Sequence, residues 1–399
     1  MTLPWNDLFS AGAREMRGSA IRRVFREARK PGVISLTSGA PAPEVFPVED
    51  IAAAAERALM HHTLDALQYT LTEGYAPLRE FIAERMNAQG GRLSADRIII
   101  TAGSQQAIDL VGRLFIDPGT LVAIEDPTYM SALTALAPQR PRYLPIPMDQ
   151  DGLIVDVLAD ALARGERPAF LYTITAFQNP TGVSMSMARR EQLLDLAERY
   201  GLPIIEDDPY GELVFEGQPR TPLAMLDCMR HGELRHVIYL STFSKLVSPG
   251  LRIAWVAAPP EVIAKMQFAR QGMDLHASGL SQVVVHEVCA DGLLDRHLPV
   301  IRNTYRERRD AMLRALDADM AGQATWTRPS GGMFIWMTLT EDIDADQLVK
   351  TAIEHGVAFV PGFPFYANGG PRNTLRLSFA NPTPETITQG VSRLAVAVR

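Results

Sequence analysis

The chain has 399 residues, of which 47% are hydrophobic and 21% charged, and its formal net charge is −7. This length and composition suit an enzyme of two domains, and the acidic balance argues against nucleic acid as the main partner. The two cysteines, Cys228 and Cys289, lack metal-ligand spacing, so we predict no disulfide framework and no metal site, and we expect a cytoplasmic protein. No apolar stretch approaches the roughly 20 residues that span a membrane, and no signal peptide is recognised at the amino terminus.

Short apolar strands alternate with helices in the middle of the chain. This alternation is typical of a mostly parallel sheet covered by helices on both faces. Beyond about residue 260 a long helical region runs to about residue 316, and a smaller α+β unit follows it. The predicted strands are 97–101, 120–125, 168–173, 202–206, 236–240, 252–257, 332–339 and 374–379, and the predicted helices include 104–115, 187–200, 345–354 and one from 384.

The first polar motif follows the strand at 97–101. Gly103 permits a tight turn, and Ser104 and Gln105 open the next helix, where free N–H groups and the helix dipole favour an anion. A plain helix cap by Ser104 is the favoured interpretation of this motif when it is taken alone. Ligands bind at the carboxyl ends of strands in parallel sheets, so an anion site is the more specific expectation here.

Two further motifs also follow predicted strands. Asn179, in the turn 178–182, can donate to a phenolate oxygen. Asp207 follows the apolar strand 202–206, and a carboxylate there can keep a ring nitrogen protonated by direct charge interaction. Tyr210, three residues later, can reach an oxygen of the same ring. Ordinary surface turns are the alternative interpretation of each motif.

A lysine in a hydroxyl-rich loop is the most informative residue. The chain has four lysines against 35 arginines, so Lys245 at a strand end invites a role that arginine cannot fill. Lysine alone forms a Schiff base, and burial can lower the pKa of its amine. Thr242 and Ser244 add hydroxyl donors, and Arg252 offers a fork of donors suited to phosphate.

Taken together and in this order, the motifs resemble those of the fold-type I, class I/II aminotransferases, and within them the kynurenine/2-aminoadipate aminotransferase group. The resemblance covers nearly the whole chain. It implies an α/β fold in which a seven-stranded, mostly parallel sheet forms a large domain, 47–290, beside a smaller α+β domain made of 1–46 and 291–399. It also implies a pyridoxal 5'-phosphate (PLP) cofactor attached to Lys245, and a homodimer.

Further roles rest on the resemblance. Tyr129 is implied to stack on the cofactor ring, and Arg376 to bind the substrate α-carboxylate as a bidentate pair. Tyr69 is implied to reach the active site of the neighbouring subunit. Gly39 matches the substrate loop and Phe334 lines the substrate pocket, whereas Arg22 stands where some relatives contact an acidic substrate side chain.

The expected reaction moves an amino group between an L-amino acid and a 2-oxo acid such as 2-oxoglutarate. The amino donor stays open between 2-aminoadipate or glutamate and aromatic or branched amino acids. A PLP-dependent C–S lyase would use the same motifs and is the alternative. A transcription regulator with an aminotransferase-like half is disfavoured, because the PLP-type pattern begins within about 40 residues of Met1 and leaves little room for a preceding winged helix.

Overall fold

The computed structural model describes residues 3–15 and 22–399. In chain order, the strands of these residues are β1 (Ile34–Ser35), β2 (Ile98–Thr101), β3 (Leu121–Asp126), β4 (Arg142–Asp149), β5 (Gly152–Leu153), β6 (Leu171–Thr173), β7 (Ile204–Asp207), β8 (Val237–Thr242), β9 (Ala254–Ala257), β10 (Ala324–Trp326), β11 (Phe334–Leu339), β12 (Val357–Ala358), β13 (Val360–Pro361) and β14 (Thr374–Ser378).

Helices cover both faces of the main sheet, and none of those in the described part of the chain is long and apolar enough to cross a membrane. They are α1 (Trp5–Leu8), α2 (Ala11–Glu15), α3 (Arg22–Glu27), α4 (Val48–His61), α5 (Thr63–Leu67), α6 (Ala76–Asn87), α7 (Ser104–Phe115), α8 (Met130–Leu136), α9 (Val155–Ala163), α10 (Met187–Tyr200), α11 (Leu223–His231), α12 (Pro260–Gln271), α13 (Gly279–Ala290), α14 (Leu293–Asp319), α15 (Ala345–Glu354) and α16 (Pro384–Val398).

The large sheet has eight strands in the order β2-β9-β8-β7-β6-β3-β4-β5. Strands β8, β7, β6, β3 and β4 are mutually parallel, and β9 runs antiparallel between β8 and β2. Strand β2 therefore points the same way as β8. As a result, the carboxyl ends of β2, β3, β6, β7 and β8 and the start of β9 all lie along one edge.

The sequence explains most of these elements. Strands β2, β7, β8 and β9 consist of fully buried residues, as expected for strands covered on both faces. Helix α10 begins where Ser186 accepts a hydrogen bond from the Arg189 N–H, and it ends at Gly201, which has a positive φ of 63°. Both ends of this helix were predicted from the sequence.

A smaller antiparallel sheet has the order β10-β11-β14-β13. Near the amino terminus, β1 pairs in parallel with β12, and the Ser378 N–H of β14 donates to the Leu36 carbonyl. The long helical region predicted after residue 260 consists of three helices, α12, α13 and α14. The last break falls at Gly292, whose φ of 72° favours glycine.

Candidate active site

One cavity of about 180 Å³ opens at the edge of the large sheet where the strand ends meet. Ten of the residues singled out from the sequence line it, although they come from segments more than 140 residues apart. The lining residues are Ser104, Gln105, Tyr129, Asn179, Asp207, Tyr210, Thr242, Ser244, Lys245 and Arg252, together with Ile174, Pro209 and Pro249.

One end of the cavity is built to hold an anion. Helix α7 begins there with Ser104, whose buried Oγ has no hydrogen-bond partner. Gly103 precedes it with a φ of 93°, and a Cβ at this position would collide with the guanidinium of Arg252. The glycine therefore lets a cation approach the amino end of a 12-residue helix, and both features attract negative charge.

Two hydroxyl groups stand at the same end. The Thr242 hydroxyl lies 2.9 Å from that of Ser244 and accepts a hydrogen bond of 3.0 Å from the Ser244 N–H. Arg252 is exposed and donates weakly to the Ala102 carbonyl from 3.3 Å. Nearby, the side chain of Gln105 donates to the Ser131 carbonyl from 2.9 Å. These groups supply hydroxyl and guanidinium donors around the free Ser104 hydroxyl.

Asp207, the last residue of β7, presents a free carboxylate oxygen within the site. Its Oδ2 accepts a hydrogen bond of 2.7 Å from the Tyr172 hydroxyl, whereas its buried Oδ1 has no partner. Burial, opposed by the hydrogen bond from Tyr172 and assisted by the charge of Asp208, raises the pKa of Asp207 to about 7. A buried acceptor without a partner is costly, so this oxygen is suited to receive a proton donor from a bound ring.

Lys245 points its amine into the cavity. The Nζ donates to the Gly39 carbonyl from 2.9 Å. Burial lowers the pKa of Lys245 to about 8, and the positive charges of Arg252 and Arg376 contribute. A lysine in this state is a better nucleophile near neutral pH than a solvated one, because more of it is uncharged.

The lowered lysine pKa predicts how the cofactor-free enzyme recombines with PLP. The neutral amine is the reactive form, so the recombination rate should rise with pH and reach half its maximum near pH 8. Stopped-flow absorbance across a pH series measures this rate. A half-maximum near pH 10.4, the ordinary lysine pKa, would contradict the electrostatic description of the site.

A second group of predicted residues is organised around Arg376 of β14. Its two terminal nitrogens donate to Asn179 Oδ1 and to the Thr37 carbonyl from 2.8 and 2.9 Å, and its buried Nε has no partner. Its guanidinium carbon lies 4.2 Å from the centre of the Phe334 ring. Burial lowers the pKa of Arg376 to about 10, so the group is still charged at neutral pH.

Phe334 links this arginine to the other site residues. The Phe334 ring meets the Tyr210 ring edge-on at a centroid distance of 5.9 Å. A Cβ on Gly39 would come within 2.7 Å of the Phe334 ring, so glycine is needed for this close approach. Gly39, Phe334 and Arg376 therefore adjoin Lys245, Asn179 and Tyr210, as the sequence motifs predict.

One of the predicted residues lies elsewhere, and the side chain of another falls outside the described part of the structure. Tyr69 is 80% exposed, does not line the cavity of its own chain, and contacts the His276 ring edge-on. Arg22 is the first residue of α3, but its side chain lies outside the described part of the structure. The structure thus does not bring Tyr69 to the cavity of its own chain.

Sequence reasoning missed residues outside the cavity lining that hold the cavity side chains in position through hydrogen bonds. Tyr172 fixes Asp207, as described above. Gln178 donates to Glu125 and to the Pro127 carbonyl from 3.0 and 2.9 Å, and its own oxygen accepts from the Thr181 N–H, which anchors the turn containing Asn179. The available signal was the presence of Tyr172 and Glu125 in otherwise apolar buried strands, because buried polar side chains need partners.

Comparison with known proteins identifies the family. Residues 31–394 match the family model described as "Aminotransferase class I and II". The chain belongs to this family. It is a PLP-dependent transaminase that moves amino groups between amino acids and 2-oxo acids.

Individual relatives are similar over their whole lengths. A 2-aminoadipate transaminase of Thermus thermophilus is 45% identical, over 100% of this chain and 98% of the relative. Aromatic-amino-acid aminotransferase 1 of Thermococcus litoralis is 43% identical, over 100% and 95%. A crystal structure of the alpha-aminoadipate aminotransferase of Thermus thermophilus, complexed with N-(5'-phosphopyridoxyl)-L-leucine, is 44% identical, covers 99% and 98% of the two chains, and superimposes with a TM-score of 0.92.

The cavity of this aminotransferase fits its cofactor. The unpartnered Ser104 hydroxyl, the helix start and Arg252 suit the phosphate, and the unpartnered Asp207 oxygen suits the ring nitrogen. The amine of Lys245 at the same cavity suits covalent attachment of the cofactor aldehyde. Each buried polar atom of the cavity that lacks a partner within the chain therefore has a matching group on PLP.

Proposed function

We propose that ten cavity residues bind PLP, each contacting a different part of the cofactor or sharing its phosphate. Ser104, Gln105, Thr242, Ser244 and Arg252 bind the phosphate, with Gly103 permitting their close approach. Tyr129 stacks on the ring, Asn179 and Tyr210 contact the ring oxygen, and Asp207 pairs with the ring nitrogen. Lys245 holds the cofactor covalently. The observation that carries this proposal is the single cavity that joins Lys245, the free oxygen of Asp207 and the anion-binding helix start.

The chain's own residues then position and move one proton. When bound, PLP supplies an electron sink for the negative charge left at the substrate Cα. Asp207 keeps the ring nitrogen protonated by its charge, and burial of the pair makes that interaction strong. Lys245, once displaced by the substrate amine, would take the Cα proton as a general base and deliver it to C4' of the cofactor as a general acid. Its lowered pKa of about 8 suits both roles near neutral pH.

Arg376 is proposed to bind the substrate α-carboxylate, with Asn179 beside it. We expect Arg376→Lys to lower kcat/KM by about 100-fold, since it removes a bidentate pair of charge-assisted hydrogen bonds worth roughly 3 kcal/mol. Most of the loss should appear in KM. Steady-state kinetics measure it, and the matched control is Arg372→Lys, an exposed arginine of the preceding loop that pairs with Asp346. Equal effects of the two changes would contradict this role.

The proposed amino donors are acidic, aromatic or branched L-amino acids, and the proposed acceptor is 2-oxoglutarate. The names of the relatives support the acidic and the aromatic donors. The buried ring of Phe334 beside Arg376 supplies an apolar wall that suits aromatic and branched side chains. Arg22, whose side chain lies outside the described residues, is proposed to contact acidic ones.

Single-turnover reactions with a panel of amino donors test the substrate proposal. Mixing each donor with the holoenzyme should convert the absorption of PLP to that of its aminated form, fastest for 2-aminoadipate, glutamate, leucine and aromatic amino acids. Parallel reactions with an S-substituted cysteine, which carries a thiolate leaving group on Cβ, are assayed for pyruvate and ammonia. Pyruvate and ammonia without any amino acceptor would favour a β-eliminating lyase instead.

We further propose a homodimer in which Tyr69 enters the partner's site. Tyr69 lies in an exposed apolar surface with Met60, Leu64, Leu67 and Leu71, which are 58–79% exposed. Surfaces of this kind mark interfaces. The surface adjoins the phosphate end of the cavity, because Gln106 in the first turn of α7 donates to Asp274, close to the His276 that Tyr69 contacts.

If Tyr69 enters the partner's site, changing Tyr69 should weaken cofactor binding without impairing folding. Tyr69→Phe should weaken PLP binding by about tenfold, since it removes one hydrogen bond to a charged phosphate. Equilibrium dialysis measures the affinity, and Tyr200→Phe, a tyrosine on α10 far from the cavity, is the control. A fully active monomer in analytical ultracentrifugation would contradict the role of Tyr69.

The domain division is also proposed, with 47–290 as the large domain and 1–46 plus 291–399 as the small one. The pairing of β1 with β12 and the bond from Ser378 to Leu36 support joining the amino-terminal segment to the carboxy-terminal part. Both cysteines are free and buried, which supports the proposed cytoplasmic location.

A further inference from the structure

Three potential metal ligands meet at the amino-terminal end of β8, at the opposite edge of the large sheet from the cavity. Asp227 and His231 lie one turn apart on α11, and His236 immediately precedes β8. Their ligand atoms all lie within 4.8 Å of one another. His236 Nδ1 is 3.2 Å and His231 Nε2 is 3.7 Å from the same oxygen, Asp227 Oδ1.

The carboxylate of this cluster is held in place by the backbone. Asp227 is fully buried, and its Oδ2 accepts hydrogen bonds from the N–H groups of Arg235, His236 and Val237 at 2.7, 2.8 and 3.2 Å. Only Oδ1 is left to face the two imidazoles. Outer hydrogen bonds of this kind orient a metal ligand before the ion arrives, which strengthens binding.

A fourth ligand is adjacent. Glu198 of α10 places its Oε1 3.0 Å from His231 Nε2. Arg230 also contacts this oxygen, from 3.1 Å, but it pairs with Glu191 and Asp195 as well. Glu198 can therefore turn towards an ion while Arg230 keeps two carboxylate partners.

The separations match a tetrahedral site. Bonds of 2.0–2.2 Å from zinc to nitrogen and oxygen place tetrahedral ligands about 3.4 Å apart. The distances from Asp227 Oδ1 to the two imidazole nitrogens, 3.2 and 3.7 Å, bracket that value, and Glu198 Oε1 lies 3.0 Å from His231 Nε2. Two imidazoles with two carboxylates suit zinc-type ions rather than magnesium or calcium, which prefer oxygen ligands throughout. We propose that Asp227, His231, His236 and Glu198 bind one divalent transition-metal ion of the zinc type.

Such an ion would tie three elements together at the amino-terminal end of β8. It would join α10 to α11, and both to the strand whose other end leads to Lys245. The ion is not near the reacting groups, so it would act on the stability of the sheet. Binding to the native state alone raises the temperature of unfolding, by an amount that grows with the ratio of the ion's concentration to its dissociation constant.

Cobalt tests this site without relying on activity. Holoenzyme is freed of metal with a chelator and titrated with Co²⁺, which gives characteristic visible bands in tetrahedral N/O sites. We expect one Co²⁺ per chain with tetrahedral bands, displacement by Zn²⁺, and a higher unfolding temperature with either ion. Wild-type protein without these bands at saturating Co²⁺ would overturn the proposal.

Variants locate the ion. His231→Ala and His236→Ala should each weaken Co²⁺ binding by more than about 100-fold, beyond the 10- to 100-fold effect of losing an outer-shell partner. Asp227 is kept, because it holds three backbone N–H groups whatever the metal content. The control is His355→Ala, an exposed histidine that follows another helix. Each variant should keep the absorption of bound PLP, which shows that it has folded, and unchanged Co²⁺ affinity in the His231 and His236 variants would also overturn the proposal.

Discussion

Lys245→Ala is expected to abolish transamination, with a loss in kcat of roughly 10⁴-fold or more. The change removes both the covalent attachment of PLP and the general base, and proton transfer by a positioned side chain alone contributes up to about 10⁴-fold. The phosphate-binding groups remain, so the variant should still bind PLP without a covalent bond. Single-turnover kinetics and the visible spectrum measure the two losses separately.

The control for this change is Lys265→Ala, which removes an exposed lysine of α12. It should leave both the spectrum and the rate unchanged. If Lys245→Ala still formed a borohydride-reducible adduct at the wild-type level, the attachment of PLP to this lysine would be wrong.

Asp207→Asn is expected to lower kcat by roughly 100-fold or more while the protein stays folded. A neighbouring carboxylate shifts the pKa of a titrating partner by about 1–3 units, and each unit is a tenfold change in the protonated fraction of the ring nitrogen. The amide keeps the size and can still bond to the Tyr172 hydroxyl, so the structural effect is small. Rapid-reaction kinetics with a good amino donor measure the loss.

Two comparisons make the Asp207 result specific. Asp208→Asn changes the next carboxylate, which accepts from the Gly211 N–H and the Tyr239 hydroxyl and does not line the cavity. Asp208→Asn should lower the free energy of unfolding more than it lowers activity. A PLP analogue methylated at the ring nitrogen carries the positive charge permanently and should restore much of the rate to Asp207→Asn. A failure of the analogue, with normal binding, would show that the charge of Asp207 is not its contribution.

The sequence predicts the parts of this fold that depend on local chemistry. Helices α7, α10 and α15 have the predicted bounds, because each begins and ends at clear signals and buries one apolar face. Strands β7 and β8 were predicted at 202–206 and 236–240, and the structure extends their ends to Asp207 and Thr242. Their meeting at one edge follows from the parallel arrangement of the strands.

Strand β4 was not predicted, and its sequence shows why. Pro145 and Pro147 interrupt it, and proline lacks the N–H that a strand interior needs. The two prolines are two residues apart, so both lack an N–H on the same side of the strand. That side carries only the two-residue pairing with β5, and the opposite side is free to pair with β3. The pairing with β5 also makes the sheet eight-stranded, one strand more than the predicted seven.

The contacts that complete the site are long-range and left no local signal. Arg376 meets Asn179 across 197 positions, and Lys245 meets Gly39 across 206. Motif order placed these residues in the site, but their distances depend on how the two sheets pack. The proposed metal ligands show the same limit, because cysteine spacing gave no sign of a site built from Asp227, His231 and His236.

Borohydride reduction of the holoenzyme, followed by tryptic digestion and mass spectrometry, tests the attachment of PLP most directly. Trypsin does not cut after a modified lysine, so the cofactor should appear on the peptide 236–252, which contains Lys245. Lys30, Lys265 and Lys350 should be unmodified. An active enzyme with its adduct on one of those three lysines, or with none at all, would contradict the assignment of this cavity as the active site.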